Sequence, residues 1–237
     1  MSSHRKLLRH LAVAAAIGIL SPVVAATDSA PSDSGPEINY CAAPMEQFLP
    51  GDFYACRALV AMKTQHPEKA MKMLDQAASW ANKNAQRLLG QVYFYGDSTG
   101  IKPNRPLGLA WLALAAERKD PAIVSDYEKA RAQSTTDDAN KAYKLYLPLK
   151  AQYGDAVAGK RATEQYEKRM RMLEVASAGS NHEIIYDMGQ SGMQMKPLLA
   201  GLKQRATEDF EGLEGHVTVG SLTEATSPTQ PLREPPK

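Results

Sequence analysis

Histidine and cysteine are scarce in this chain: five histidines and two cysteines among 237 residues. His4 and His10 fall in the first 26 residues, and His66, His182 and His216 lie far apart. No group of them has metal-ligand spacing, so a zinc centre is not expected. His182-Glu183-Ile184-Ile185-Tyr186 begins like a zinc-protease helix, but Tyr186 stands where the second histidine is needed. A Gly-x-Ser-x-Gly elbow is absent, and Gly96 to Gly100 lacks the Gly-Lys-Ser/Thr ending of a phosphate loop. Charge of one sign is lacking too: 28 Lys and Arg face 26 Asp and Glu, a formal +2. A near-neutral chain has no long-range field to gather nucleic acid. Beyond the first 26 residues no apolar run approaches the roughly 20 residues that span a bilayer.

What is present begins with an export pattern. Arg5, Lys6 and Arg9 precede the uncharged run Leu11 to Leu20, Pro22 and the small residues Val24-Ala25-Ala26. Residues 1–26 read as a signal peptide cut before Thr27. The competing reading, an uncleaved anchor, needs a longer apolar run. Cys41 is too far from the cut for a lipid anchor. Loss of three cations from a formal +2 leaves a mature chain of −1. The expected location is the periplasm or the secreted space, without stable membrane insertion after cleavage. Cys41 and Cys56, 15 positions apart, then favour a bridge over two separate buried thiols.

The mature chain divides into a flexible linker over 27–48, a helical body over 49–178, a helical extension over 179–215 and a disordered proline-rich tail over 216–237. Apolar spacing predicts helices over Phe53–Gln65, from Pro67 to about Ala81, from Ala85 through Tyr93, from Leu107 through Ala115 and from Pro121 onward. Thr136-Asp137-Asp138 reads as the start of a further helix, which Pro148 should kink or end. Asp155 to Ala178 is helical in pattern, with a basic outer face from Lys160 to Arg171 best read as solvated. A shorter helix is expected around Pro197–Phe210, and His216–Val219 has the pattern of a short strand.

Part of this material is written twice. Leu74-Asp75-Gln76-Ala77-Ala78 recurs 38 positions later as Leu112-Ala113-Leu114-Ala115-Ala116, and Asn84-Ala85 recurs 37 positions later as Pro121-Ala122. Small residues at Ala77, Ala78, Ala85, Ala110, Ala115 and Ala122 let helices approach, Gly90 does so inside its helix, and Tyr93, Tyr95, Trp111 and Trp80 fill wedges between helices. Helical units repeated at this length form stacks, because one pair cannot bury its own apolar face. The expected hairpins cover 67–95 and 107–132.

These positions resemble the Sel-one-like repeat family, a subclass of tetratricopeptide-like helical repeats. The resemblance is carried by Ala77, Ala78, Ala85, Leu89, Gly90, Tyr93, Gly96, Gly100, Ala110, Ala115 and Ala116, in order, with Trp111 within one residue of the family's aromatic. It covers about 60 residues and fades after Ala122 and before Pro67. It implies an all-α fold: a short right-handed α-solenoid of antiparallel helix pairs with disordered terminal segments. It also implies a scaffold or adaptor that binds envelope proteins, with no cofactor and no catalytic group. Trp80, Tyr95 and Trp111 are the candidate partner contacts, Trp111 being more a core candidate than a contact. Some exported members of the family are cysteine-rich binders of β-lactams and wall fragments. This chain lacks their cysteine framework, so that activity is not carried over; the alternative reading is an envelope enzyme or binder acting on cell-wall fragments or β-lactams, with Glu183 and Asp187 as candidate acids. A third reading, Cu(I) handling at Met193 and Met195, rests on Met-x-Met pairs that packing explains for Met71, Met73, Met170 and Met172.

Overall fold

The computed structural model describes residues 38–96, 100–178, 184–185 and 193–213. The expected strand at 216–219, the signal segment 1–26, Glu183 and Asp187 lie outside the described residues.

Nine α-helices and one two-stranded pairing make up the described chain. Helices α1 (Met45–Phe48), α2 (Pro50–Lys63) and α3 (Pro67–Ser79) come first. They are followed by α4 (Lys83–Tyr95), α5 (Arg105–Ala115) with a 3-10 turn over Ala116–Arg118, and α6 (Pro121–Ala132). Helix α7 (Thr136–Tyr153) leads through one π-helical turn, Asp155–Gly159, into α8 (Lys160–Ala178). Strands β1 (Ile184–Ile185) and β2 (Met193–Gln194) pair antiparallel before α9 (Met195–Asp209). The fold is all-α, as the repeat predicts.

The sequence explains most helix starts. Pro occupies the first turn of α2, α3, α5 and α6, where its missing N–H costs nothing. Asn82, Asn104 and Asp120 each accept a backbone N–H at the starts of α4, α5 and α6. Thr135 and Asp138 close a reciprocal capping box on α7.

The pairing frame differs from the expected one. The closest helix pairs are α2 with α3 and α4 with α5, so the hairpins are 50–79 and 83–115, one helix earlier than 67–95 and 107–132. The reason is backbone approach. A Cβ on Gly108 would lie 2.3 Å from the Phe94 amide nitrogen, and one on Gly90 would lie 2.7 Å from Leu112 Cγ. Gly90 against Leu112 and Gly108 against Phe94, one turn apart, bring those backbones together. On its other side α5 packs chiefly against α7, with α6 more loosely attached. Ala122, expected to match Ala85, is exposed, whereas Ala85 is buried.

Three further expectations are corrected. Residues 38–48 are part of the body and not a linker. Met45 and Leu49 are buried, and Ile38, Tyr40 and Ala42 pack against the same core. Pro148 does not end α7, which continues five residues to Tyr153. The helix tolerates it because Pro148 and Lys144, whose carbonyl loses its partner, both face solvent. Leu59, expected in the α2 core stripe, is half exposed.

Three apolar clusters hold the described chain together. The first joins Met45, Phe53, Ala162, Met170, Leu198, Leu202 and Phe210, so α1, α8 and α9 share one core. Helix α9 therefore closes the body and is not a detached extension. Ala58, Leu74, Ala77, Ala78, Ala85, Leu89, Trp111, Leu114 and Tyr153 form the second. The third holds Phe94, Leu109, Ala110, Leu112, Ala130 and Ala142. Alanine dominates the middle cluster because neighbouring helix axes pack closely only where side chains are short.

Candidate functional site

A cavity of about 610 Å³ forms a groove over α5. Leu109, Ala110, Ala113 and Ala116 form its floor. Val124, Tyr127, Glu128 and Arg131 of α6 make one wall, and Ala139, Asn140, Tyr143 and Tyr146 of α7 the other. Tyr143 is 64% exposed, and Tyr127 and Tyr146 are half-buried against the third cluster. A short-residue floor between tyrosine walls offers apolar area, flat ring faces and hydroxyls on one trough. That suits an extended segment or a helix with small contacts.

Polar contacts fix both walls. Asp126 of α6 accepts from Arg87 Nε at 2.6 Å and Gln91 Nε2 at 2.8 Å, which ties that helix to α4. Arg105 lies over the Phe94 ring at 4.4 Å, donates to the Gln133 carbonyl and sits 3.9 Å from Asp138. It thereby holds the α6–α7 turn against the start of α5. The far end of α7 is anchored through Tyr153. Its ring meets Trp111 edge-on at 4.9 Å, its hydroxyl donates to Asp75 at 2.8 Å, and its carbonyl accepts from Gln86 at 2.9 Å. Burial, then the bond to Asp75, pushes the Tyr153 phenol up to about 12, so it stays a donor at all physiological pH.

Behind this anchor lies a buried charged node. Lys83 donates to Glu117 Oε2 at 2.9 Å, Gln86 Oε1 at 3.2 Å and the Leu114 carbonyl at 3.3 Å, and lies 3.1 Å from Asp155. Arg118 forks onto both Asp155 oxygens and donates to the Ala81 and Asp209 carbonyls. Burial pushes the Asp155 carboxyl up, but the Arg118 bonds and the Lys83 charge outweigh it and leave it below the ordinary value. Burial lowers Lys83 against the pull of Asp155 and Glu117. Two cations and two carboxylates cancel there, so the node joins α4, α5, α8 and α9 without net charge. Sequence reading missed it. Its signal was present in Lys83 and in Glu117-Arg118 at the two ends of one hairpin.

A second cavity, about 480 Å³, borders this node between α1, α2 and α9, beside Asp52, Lys119, Glu208 and Asp209. Asp52 accepts from Arg205 at 2.5 and 3.0 Å and from Asn82 at 3.0 Å. Arg205 also sits 3.3 Å from Asp209. Burial and the adjacent Asp52 push Asp209 well above the ordinary carboxylate range. The cations that line this cavity most deeply are already paired, so it serves closure of the body better than ligand capture.

The expected contact residues do not come together. Trp111 is 4% exposed and packs in the second cluster, so it has no face to offer a partner. Trp80 is half-buried beneath the Arg161 guanidinium at 5.1 Å, at the α8 side of the molecule. Tyr95 is 51% exposed and stacks edge-on with Phe94, away from the groove floor. Tyr127, Tyr143 and Tyr146, which do line the groove, were not singled out as contacts from the sequence. Cys41 and Cys56 are disulfide-bonded, joining the 38–48 segment to α2. Among the described residues, no three His, Cys, Asp or Glu side chains gather as a metal site. None of the described helices is long and apolar enough to cross a membrane. Met195 opens α9 half-buried.

No curated protein and no solved structure matches the chain. Residues 83–120 match the family model described as Sel1 repeat, from the first turn of α4 to the residue that caps α6. The α4–α5 hairpin is thus the part of the chain that is similar to a Sel1 repeat.

Proposed function

We propose that the protein is an exported periplasmic scaffold that binds a segment of another envelope protein in the groove over α5. The observation that carries this reading is the trough itself: an alanine floor between tyrosine walls whose positions are fixed by buried polar bonds. Tyrosine is favoured at recognition surfaces because it adds large contact area at small entropy cost. The Sel1 repeat supports a protein-interaction role, and the Arg5 to Ala26 pattern supports export. The protein acts by binding and carries no reaction of its own. Assays with wall fragments and a chromogenic β-lactam should therefore give a flat response.

A photocross-linker placed at Tyr143 in living cells tests the groove. The expected result is one reproducible envelope protein, cross-linked through a single short segment, and lost when Tyr127→Ala is added. Cross-linking spread over many proteins, or unchanged by Tyr127→Ala, overturns the reading. N-terminal sequencing of the exported chain should begin at Thr27; an intact Met1 on a membrane-bound chain would replace export by anchoring.

A further inference from the structure

We infer that the groove over α5 is also the docking site of this chain's own proline-rich C-terminus, residues 227–237, which occupies it in competition with the partner. The inference rests on the reading of the groove as a binding site. Three observations carry it.

The first is the chemistry of the two surfaces. Ser227 to Lys237 reads Ser-Pro-Thr-Gln-Pro-Leu-Arg-Glu-Pro-Pro-Lys, with Pro228, Pro231, Pro235 and Pro236. Such a segment favours the polyproline II conformation, which leaves every carbonyl free for an outside donor. Aromatic-lined troughs suit it, since proline rings lie flat on aromatic faces and hydroxyls reach the free carbonyls. Tyr127, Tyr143 and Tyr146 supply both, and the floor at Ala113 leaves room for Leu232.

Position supplies the second. The described body ends at Leu213, packed where a Cβ on Gly159 would meet it at 2.6 Å. Its neighbour Gly212 lies beside Arg118, where a Cβ would be 3.3 Å from the Arg118 carbonyl oxygen. Arg118 is two positions past Ala116, the last floor residue of the groove. From Leu213 to Pro228 the chain can extend about 45 Å at ~3.1 Å per residue. Helix α5 is only about 16 Å long at ~1.5 Å per residue. The last described residues therefore lie beside Arg118, just past the end of α5, and the groove is within the reach of the tail.

The third is charge. Glu128 and Arg131 stand on the α6 wall three positions apart, and the tail carries Arg233 and Glu234 side by side. One orientation of the tail brings Arg233 to Glu128, while the adjacent Glu234 turns away at about three residues per turn. Tethering raises the local concentration of the tail at the groove to the millimolar range, so modest contacts suffice to hold it.

The test uses the full mature chain with a benzophenone photocross-linker in place of Leu232. Light and heavy isotope-labelled copies are mixed. The expected product is an intramolecular cross-link to peptides within 109–146, abolished by Tyr127→Ala with Tyr143→Ala and also by Pro228→Ala with Pro231→Ala. An unchanged urea unfolding midpoint of the proline variant shows that its loss of cross-linking is not a folding defect. Partner capture at Tyr143 should then rise about tenfold in that proline variant, as expected for release of a tethered competitor. A cross-link between light and heavy copies would assign the groove to a second molecule's tail and overturn the inference. Cross-links outside 109–146, or none, also overturn it. If Tyr143 captures a partner while Leu232 never reaches the groove, the binding reading stands and only the tail falls.

Discussion

The Arg118 guanidinium meets the Asp155 carboxylate in a two-pronged contact, Nη2 to Oδ1 at 2.7 Å and Nε to Oδ2 at 2.8 Å, across 37 positions of chain. The pair couples the end of α5 to the π-helical turn that opens α8. Its side chains are 8% and 11% exposed, so neither charge has water to fall back on.

Removing Arg118 leaves Lys83 alone against two buried carboxylates, Glu117 and Asp155. Arg118→Ala should cost about 3–5 kcal/mol, whereas Arg118→Met with Asp155→Leu should cost far less, because the apolar pair strands no charge. Urea unfolding midpoints of the two variants decide this. A loss under about 1 kcal/mol for Arg118→Ala would show that the node does not hold the helices together.

Closeness of α4 and α5 is equally testable. Gly108→Ala places a methyl 2.3 Å from a backbone nitrogen that cannot rotate away. Gly90→Ala first meets the Leu112 side chain at 2.7 Å, which can move, and its backbone nitrogen at 2.9 Å. Overpacking costs about 1–3 kcal/mol, and Gly108→Ala should lie at or above the upper end. Thermal midpoints should rank Gly108→Ala below Gly90→Ala, and the reverse order would contradict the glycine-apposed hairpin.

The disulfide closes a loop of 15 positions and pins the 38–48 segment on α2. Cys41→Ser with Cys56→Ser should cost about 3 kcal/mol through the wider freedom of the unfolded chain. Reductant should destabilise the native protein by a similar amount and leave the serine variant unchanged in urea titrations. Equal sensitivity of both proteins to reductant would sink the prediction.

Asp209 gives an unusual pH dependence. Its folded pKa is raised to about 8 by burial and by Asp52, so the folded chain binds a proton that the unfolded chain has already lost. The stability this contributes is fully present below the ordinary Asp value of about 4 and is lost as pH rises to about 8. Arg205 and Arg118 oppose the shift without cancelling it. Asp155 runs the other way: its depressed value gives stability above the ordinary carboxylate range that is lost on acidification. Asp209→Asn should therefore raise the melting temperature at pH 8 relative to the parent, and much less at pH 5. A parallel shift at both pH values would rule out titration as the cause.

The two tryptophans should report opposite surroundings. With Trp80→Phe, emission comes only from Trp111, buried against Tyr153, and should be blue-shifted and shielded from acrylamide. Strong quenching in that variant would return Trp111 to the surface.

Helix positions were legible because local rules act over a few residues. Proline at first turns, Asn82, Asn104, Asp120 and Thr135 at caps, and the alanine spacing from Ala70 to Ala81 are all short-range signals. The repeat's alanines at Ala77, Ala78, Ala85, Ala110 and Ala115 are buried close contacts as read, Ala122 is exposed, and the bridge between Cys41 and Cys56 follows from spacing and expected compartment. Pairing was not legible. A 38-residue offset fixes the period of a repeat but not its starting point, and only Gly108 against the Phe94 backbone shows which neighbours are closest.

The sequence by itself determined the period, the all-helical character and the closeness of the central helices, since each depends on residue type at fixed spacing. Tertiary structure alone decided which aromatics face solvent, that 38–48 and α9 share one core, and that α6 and α7 part to leave a tyrosine-walled trough over α5. Those features depend on contacts between residues far apart in the chain, such as Gln86 with Tyr153 and Asp52 with Arg205, and no local pattern encodes such pairs.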